Sequence, residues 1–281
     1  MKQIPVRHIQ EPQLTGNFTI RRLQDVLRGK DMAQPLHRHA YYFILLVEKA
    51  TGTHAIDFVS HKVSNSSVFL LRPGQVHELT LKANSTGYLI EFNSDLYPSR
   101  NSKPYYTPAS RNHSGAFHPG VGTYKRLHTV ATSIWREYSD KEEGYIEIIQ
   151  ANLGIFFIEL GRLAHKNTGT QAYDYTQQRL DELSGLIEKH ITTHKSVSWY
   201  ADTMNLSPYQ LNAITKTTVG KTCSAVIDEY IILESKRQLL ATTNTISQVA
   251  EQMGYDDVSY FIRFFKKHTG SPPEAFRDKF R

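Results

Sequence analysis

Two groups of residues in this chain have types and spacings that could do chemistry. His37 and His39 stand two apart in Pro35-Leu36-His37-Arg38-His39, and a third histidine, His77, lies in LLRPGQVHELTL from Leu70. Alternate residues of a strand point to one side, so two of these imidazoles can share a space. Imidazole there serves either as a metal ligand or as a hydrogen-bonding wall of a small-molecule pocket. The second group is near the C-terminus, where Arg263, Lys266, Lys267 and His268 follow Ser259 and Tyr260 on one helical stretch. Hydroxyls and cations on one helix suit contact with phosphates and base edges.

The elements that position the second group are legible from Ile246 to Arg277, ISQVAEQMGYDDVSYFIRFFKKHTGSPPEAFR. Thr245 precedes an apolar run and Gln248 follows it by three, a capping-box spacing. Ile246, Val249, Ala250 and Met253 give a short helix one buried face. Gly254 supplies the turn, Tyr255 plugs the junction, and Asp256 is read as the N-cap of a helix reaching about His268. Phe261, Phe264 and Phe265 face inward. Gly270 and Pro272-Pro273 end that helix, and a last one runs from Glu274 to Phe280.

The same plan occurs upstream. Val197, Tyr200, Ala201 and Met204 form a short helix, and Asn205-Leu206 the turn. Ser207-Pro208-Tyr209-Gln210 opens a second helix with a cap, a proline at the first helical position and a box-closing glutamine. Leu211 and Ile214 face inward, and Gly220 ends it. A long helix from about Ser224 to Leu240, with Val226, Tyr230, Leu233 and Leu239 inward, joins the two copies. Two helix-turn-helix units held by one helix would enter successive major grooves, about 34 Å apart.

From Gln177 to Arg281 the chain resembles the AraC family of transcription regulators, most closely in GYDDVSYFIRFFKKHTGSPPEAFR. The resemblance implies binding to double-stranded DNA, contact with RNA polymerase, and activation of transcription rather than enzymatic activity. It puts Ser259, Tyr260 and Arg263 at base edges, Lys266 and Lys267 near the backbone, and Tyr209, Asn212 and Lys216 on the matching surface of the first unit. Two positions depart from the family pattern. Ala213 replaces a frequent base-contacting arginine, and Thr215 a usual core phenylalanine. The first unit is therefore expected to read shape and phosphates more than bases.

The N-terminal part reads as short strands at Phe18–Leu23, Tyr41–Glu48, His54–Val59, Ser67–Leu71, Val76–Leu81 and Thr86–Phe92. Gly, Pro, Asn and Ser punctuate them, a pattern for a sandwich or barrel. PLHRHAYYFILLVEKATG and the PGQVH run resemble the two motifs of cupin domains, small barrels that precede many AraC-type DNA-binding domains. His37, His39, Tyr41, Phe43, Phe69 and His77 are expected to line an effector cavity, with the polar arm before Phe18 folding over its mouth. Metal-binding cupins add a carboxylate soon after the paired histidines. Here that stretch is Ala40-Tyr41-Tyr42-Phe43-Ile44, and Glu48 is too distant, so no metal or other cofactor is expected.

Two helical stretches follow. Val121–Tyr138 carries Tyr124, Leu127, Val130, Ala131 and Ile134 on one face. Tyr145–His165 carries Ile146, Ile149, Leu153, Phe156, Phe157, Leu160 and Leu163, too apolar for water. Residues 121–165 are expected to pair two chains as a homodimer, the alternative being an internal core. Lys166 to Gln171 is polar and linker-like, freeing the DNA-binding part to reorient. The fold class is a two-domain α+β chain: a cupin-like sensing and dimerisation domain at 1–165, a linker at 166–175, and an all-α DNA-binding domain at 176–281.

Composition sets the remaining bounds. The 281 residues carry a formal charge of +6, yet residues 176–281 hold 13 Lys and Arg against 12 Asp and Glu, a net of +1. Non-specific counterion release is therefore weak support for DNA binding, and the argument rests on local arrangement. The single cysteine, Cys223, excludes an internal disulfide and reads as a small buried residue in a reducing cytoplasm. The first residues lack the apolar core of a signal peptide, and no run has the ~18 apolar residues of a membrane span. Two other readings remain open: a repressor whose barrel only dimerises, and a cupin metalloenzyme with a DNA-binding tail.

Overall fold

The computed structural model describes residues 5–7, 18–93, 96, 115–165 and 171–280. They form two compact units, one within residues 5–167 and the other within 168–281. The arm before Phe18, apart from residues 5–7, and residues 166–170 of the expected linker lie outside the described residues.

The N-terminal unit contains β1 (Val6–Arg7), β2 (Phe18–Arg22), α1 (Leu23–Leu27), β3 (Met32–His39), β4 (Tyr42–Lys49), β5 (Gly52–Ile56), β6 (Val59–Val63), β7 (Val68–Leu71), β8 (Val76–Leu81), β9 (Thr86–Phe92) and β10 (Ala116–Phe117). Then come α2 (Val121–Asp140) and α3 (Tyr145–His165). The strands make two five-stranded sheets, ordered β1-β3-β8-β5-β6 and β10-β7-β4-β9-β2. One core fills the space between them, with Phe43, Leu45, Phe69, Leu71 and Leu89 meeting Ile56, Leu79 and Leu81. The alternate residues Ile44, Leu46, Val68, Leu70, Ile90 and Phe92 make a second core with α2 and α3. Because the β4 sheet is covered on both faces, Ile44 to Val47 is an unbroken buried run rather than an alternation.

Three expectations are corrected here. His54–Val59 is not one strand but a hairpin, β5 to β6, turning at Asp57 and Phe58, both left-handed (φ 46° and 71°). Glycine is absent there, and the Asp57 carboxylate holds the turn by accepting from Gln75 Nε2 at 2.7 Å and the Val76 amide at 3.3 Å. Strand β3 is additional. Its register shifts between Gln34 and His37, which takes Pro35 out of the ladder with β8. The apolar face of α3 is internal: Ile149, Leu153, Phe156, Phe157 and Leu160 are buried against α2 and the β4 sheet.

The C-terminal unit is all helical: α4 (Gln171–His190), α5 (Val197–Thr203), α6 (Pro208–Val219), α7 (Cys223–Ala241), α8 (Ile246–Gln252), α9 (Val258–Thr269) and α10 (Pro273–Lys279). Helix α4 begins inside the stretch expected as linker, and it packs on α6 and α7 through its buried Leu180, Leu183 and Ile187. Both capping boxes form, Ser207 with Gln210 and Thr245 with Gln248. Helix α7 is packed by both helix-turn-helix copies, α5 and α6 on one side and α8 and α9 on the other, so Ile227, Ile231, Ile232 and Leu240 are buried while the expected Val226 and Leu233 are only half-buried. Gly254 is left-handed at φ 68°, and a Cβ there would collide with the Thr192 carbonyl oxygen. Arg277 of α10 ties the second helix-turn-helix copy to the end of α7, donating from Nε to the Leu239 carbonyl at 2.8 Å and from Nη2 to that of Asn244 at 2.7 Å.

Candidate functional site

Helix α9 is aimed by its cap. The cap is Asp257, not Asp256: its Oδ1 accepts from the amides of Ser259 (2.7 Å) and Tyr260 (3.2 Å). Four amides at a helix start lack internal partners, and one carboxylate satisfies two of them. Phe261 and Phe265 are fully buried on the inner side. Phe264 is only half-buried, lying against Tyr255 and His268 at 5.9 and 4.6 Å between ring centroids. With those side chains turned inward, Ser259, Tyr260, Arg263, Lys266 and Lys267 are all exposed, spaced so that one outer surface carries them. That surface holds three cations and two hydroxyls.

Helix α6 offers a poorer surface. Tyr209 is 83% exposed beside the capping box, and Ala213, Lys216 and Thr217 are exposed further along. Asn212 is used differently from expectation. Its Nδ2 donates to the Pro208 carbonyl at 3.0 Å, and its Oδ1 accepts from the Cys223 amide at 2.9 Å, the start of α7. Its amide is thus engaged in joining α6 to α7. Thr215 is fully buried at the position of the usual phenylalanine, its hydroxyl donating to the Asn212 carbonyl at 3.1 Å.

In the N-terminal unit the six expected pocket residues come together between the sheets. His37 and His39 of β3 face His77 of β8, with His37 directly opposite His77 in the register. Phe43 of β4 and Phe69 of β7 approach from the other sheet, and Tyr41 lies beside His39. All six are 0–4% exposed. His54 of β5, which the strand reading passed over, belongs with them. It and Ile56 are the two buried residues of that strand, an alternation that would have marked it.

The imidazoles form a chain. His54 Nε2 is 2.8 Å from His77 Nδ1, and His77 Nε2 is 2.7 Å from His39 Nε2. His37 Nδ1 is 2.7 Å from the Pro35 carbonyl oxygen. Burial holds the His54 imidazole down at about 3, with the nearby His61 and His37 adding to the effect, so at neutral pH it is uncharged. Beside the chain, Tyr41 donates to Glu91 at 2.8 Å, and Arg21 pairs the same carboxylate at 2.7 Å. The ligating nitrogens of His37, His39 and His77 lie within 4.8 Å of one another. Three imidazoles so placed fit a borderline-soft cation.

Together these features define a DNA-binding protein with a cupin-like barrel in front of a double helix-turn-helix domain. Residues 27–101 match the AraC-like ligand binding domain, and residues 200–279 match the helix-turn-helix domain. The chain belongs to the AraC family of DNA-binding transcription regulators. It is similar to the transcriptional activator RhaS of Escherichia fergusonii, 23% identical over 87% of this chain and 88% of that one. It is also similar to the bifunctional transcriptional activator/DNA repair enzyme AdaA of Bacillus subtilis, 31% identical over 35% of this chain and 46% of that one. Among solved structures, ToxT of Vibrio cholerae O395 aligns with 94% of this chain and 98% of its own at 17% identity and a TM-score of 0.43. No helix among the described residues is long and apolar enough to cross a membrane.

Proposed function

We propose that this regulator reads its operator chiefly through α9, with Arg263 at a base edge, Ser259 and Tyr260 beside it, and Lys266 and Lys267 on phosphates. The observation that carries the reading is the outer surface of α9, where Ser259, Tyr260, Arg263, Lys266 and Lys267 are all exposed on the side away from two fully buried phenylalanines. Helix α6 contributes Tyr209 and Lys216 and few base contacts. Asn212 is set aside, because its amide is engaged within the protein.

The N-terminal barrel is the sensor. A signal changes transcription only by favouring one arrangement of the chain over another. Activation, through contact with RNA polymerase in the cytoplasm, is the sign favoured by the likeness to a named activator. We read the chain as a regulator and not an enzyme, since its convergent polar groups serve two binding surfaces.

The chain acts as a homodimer through the outer side of α3. Ile148, Ile155 and Ile158 are 41%, 49% and 41% exposed, and with Ala151 they fall at heptad spacing, the a and d positions of a two-stranded coil. The functional test is selection of genomic fragments by the purified full-length protein, followed by footprinting. Protection of two adjacent major-groove segments per chain supports the reading, and no enrichment over random DNA opposes it.

A further inference from the structure

We propose that Lys195 is a positioning residue that fastens the first helix-turn-helix copy to the turn of the second, so that α6 and α9 meet DNA at one fixed spacing; the last clause rests on the reading above that both helices engage DNA. Lys195 lies in the loop after α4, one residue before Ser196, which caps α5 by accepting from the Trp199 amide at 3.3 Å. Its Nζ donates to the Thr192 carbonyl of its own loop at 3.2 Å and to the Gly254 carbonyl, in the turn between α8 and α9, at 2.8 Å. Both acceptors lie just past a helix end, where no intrahelical donor reaches them, and one ammonium has donors for both. The same ammonium stands 4.9 Å from the centre of the Tyr255 ring, a cation–π distance, and Asp256 attracts it. Backbone meets backbone here as well, because the missing Cβ of Gly254 lets the turn reach the Thr192 carbonyl.

Each end of this contact is tied to a recognition helix. On one side the Tyr200 hydroxyl of α5 donates to the His194 carbonyl at 2.7 Å, and His194 stacks on Trp199 with ring centroids 3.9 Å apart. Helix α5 packs in turn on α6. On the other side the Tyr255 ring lies 5.4 Å from Phe261 and 5.9 Å from Tyr260, both on α9. A shift at Lys195 therefore moves α9 against α6. Helix α7 joins the copies covalently, and a second tether removes rotation that a single connection leaves open.

Fixed spacing matters most where one helix reads poorly. The Asn212 amide is engaged within the protein, and Ala213 presents only a methyl group. A helix without its own base contacts takes its place on DNA from the partner held at a set distance. Linked binding modules gain affinity when the link matches the span, and lose it when the span changes.

The experiment uses the full-length chain. Spin labels on Ala213→Cys of α6 and Lys267→Cys of α9 report the helix separation by pulsed electron resonance, with labelled chain diluted in unlabelled chain; Cys223 is buried and stays unlabelled. We expect one narrow distance distribution. Lys195→Met, which keeps the apolar stem without the donors, should broaden it, and Lys195→Arg, which donates and stacks on aromatic rings, should narrow it again. A broad distribution with Lys195 in place overturns the tether with no further variant needed, and so does an unchanged one in folded Lys195→Met. The second arm is competition binding to the most enriched genomic fragment, and to the same fragment with one base pair inserted or removed between its protected segments. The parent chain should prefer the original spacing. Lys195→Met should lose roughly 10-fold there, the low end for a hydrogen bond to a charged group, and less at the altered spacings. Equal loss at every spacing overturns the positioning role. Two protected segments without a spacing preference overturn it too and leave the DNA reading standing, whereas a single protected segment overturns the two-groove reading and the spacing claim together.

Discussion

The guanidinium of Arg263 lies 3.8 Å from the carboxylate of Asp257, the residue that caps the helix carrying it. The side chains are 69% and 64% exposed, so the pair contributes little and is screened by salt. A cation held so loosely exchanges readily for a guanine edge or a phosphate. Arg263→Ala should lose ~1–3 kcal/mol of discrimination at one base pair of the site. Competition binding against a set of sites changed base by base checks this, and identical preferences before and after would contradict base readout.

The two sides of α3 make opposite predictions. Leu153→Asp with Phe157→Asp buries two carboxylates in the core shared with the β4 sheet, and should abolish folding of the N-terminal unit. Ile155→Asp with Ile158→Asp alters only half-exposed positions, and should leave a folded monomer. Circular dichroism and sedimentation on both doubles separate these cases. A dimer persisting in the second double would sink the proposed coil.

Gly254→Ala tests the helix-turn-helix corner. The added Cβ meets the Thr192 carbonyl in a left-handed residue, where Lys195 Nζ also donates to the Gly254 carbonyl at 2.8 Å. A cost of order 1–3 kcal/mol is expected, with DNA binding lost in parallel. Urea unfolding gives the number.

Cys223 should be inert in the native protein. It is fully buried, and burial pushes its thiol up to about 11. At pH 8 it is protonated as well as shielded, so a thiol reagent should label it only in denaturant. The sign for stability follows. The unfolded thiol ionises first, so this group's contribution is intact below about 9 and is lost as pH rises towards about 11. Rapid native labelling would refute the burial.

Much of the C-terminal unit was written locally. Ser207-Pro208-x-Gln210 and Thr245-x-x-Gln248 determine their helix starts through contacts within four residues, and Gly220 and Gly270 their ends, so these appear in the structure where the sequence puts them. The cap at Asp257 was ambiguous because Asp256 precedes it and either carboxylate could cap; the packing of Tyr255 against Phe261 decides which one reaches the amides. Asn212 shows the limit for surfaces. Its position on α6 was predictable, but the Cys223 amide that engages it arrives from the next helix.

In the barrel, the spacing of His37 and His39 and the presence of His77 were evident from sequence, and the strand pairing that sets His37 against His77 was not. His54 joins them because β5 pairs with β8, a non-local pairing that local periodicity does not encode. The same holds for α3. Its sequence alone determined that Ile149, Leu153, Phe156 and Phe157 must leave water. Only the tertiary structure decided that the β4 sheet covers them, leaving Ile148, Ile155 and Ile158 outside, because hydrophobic burial is non-directional and names no partner.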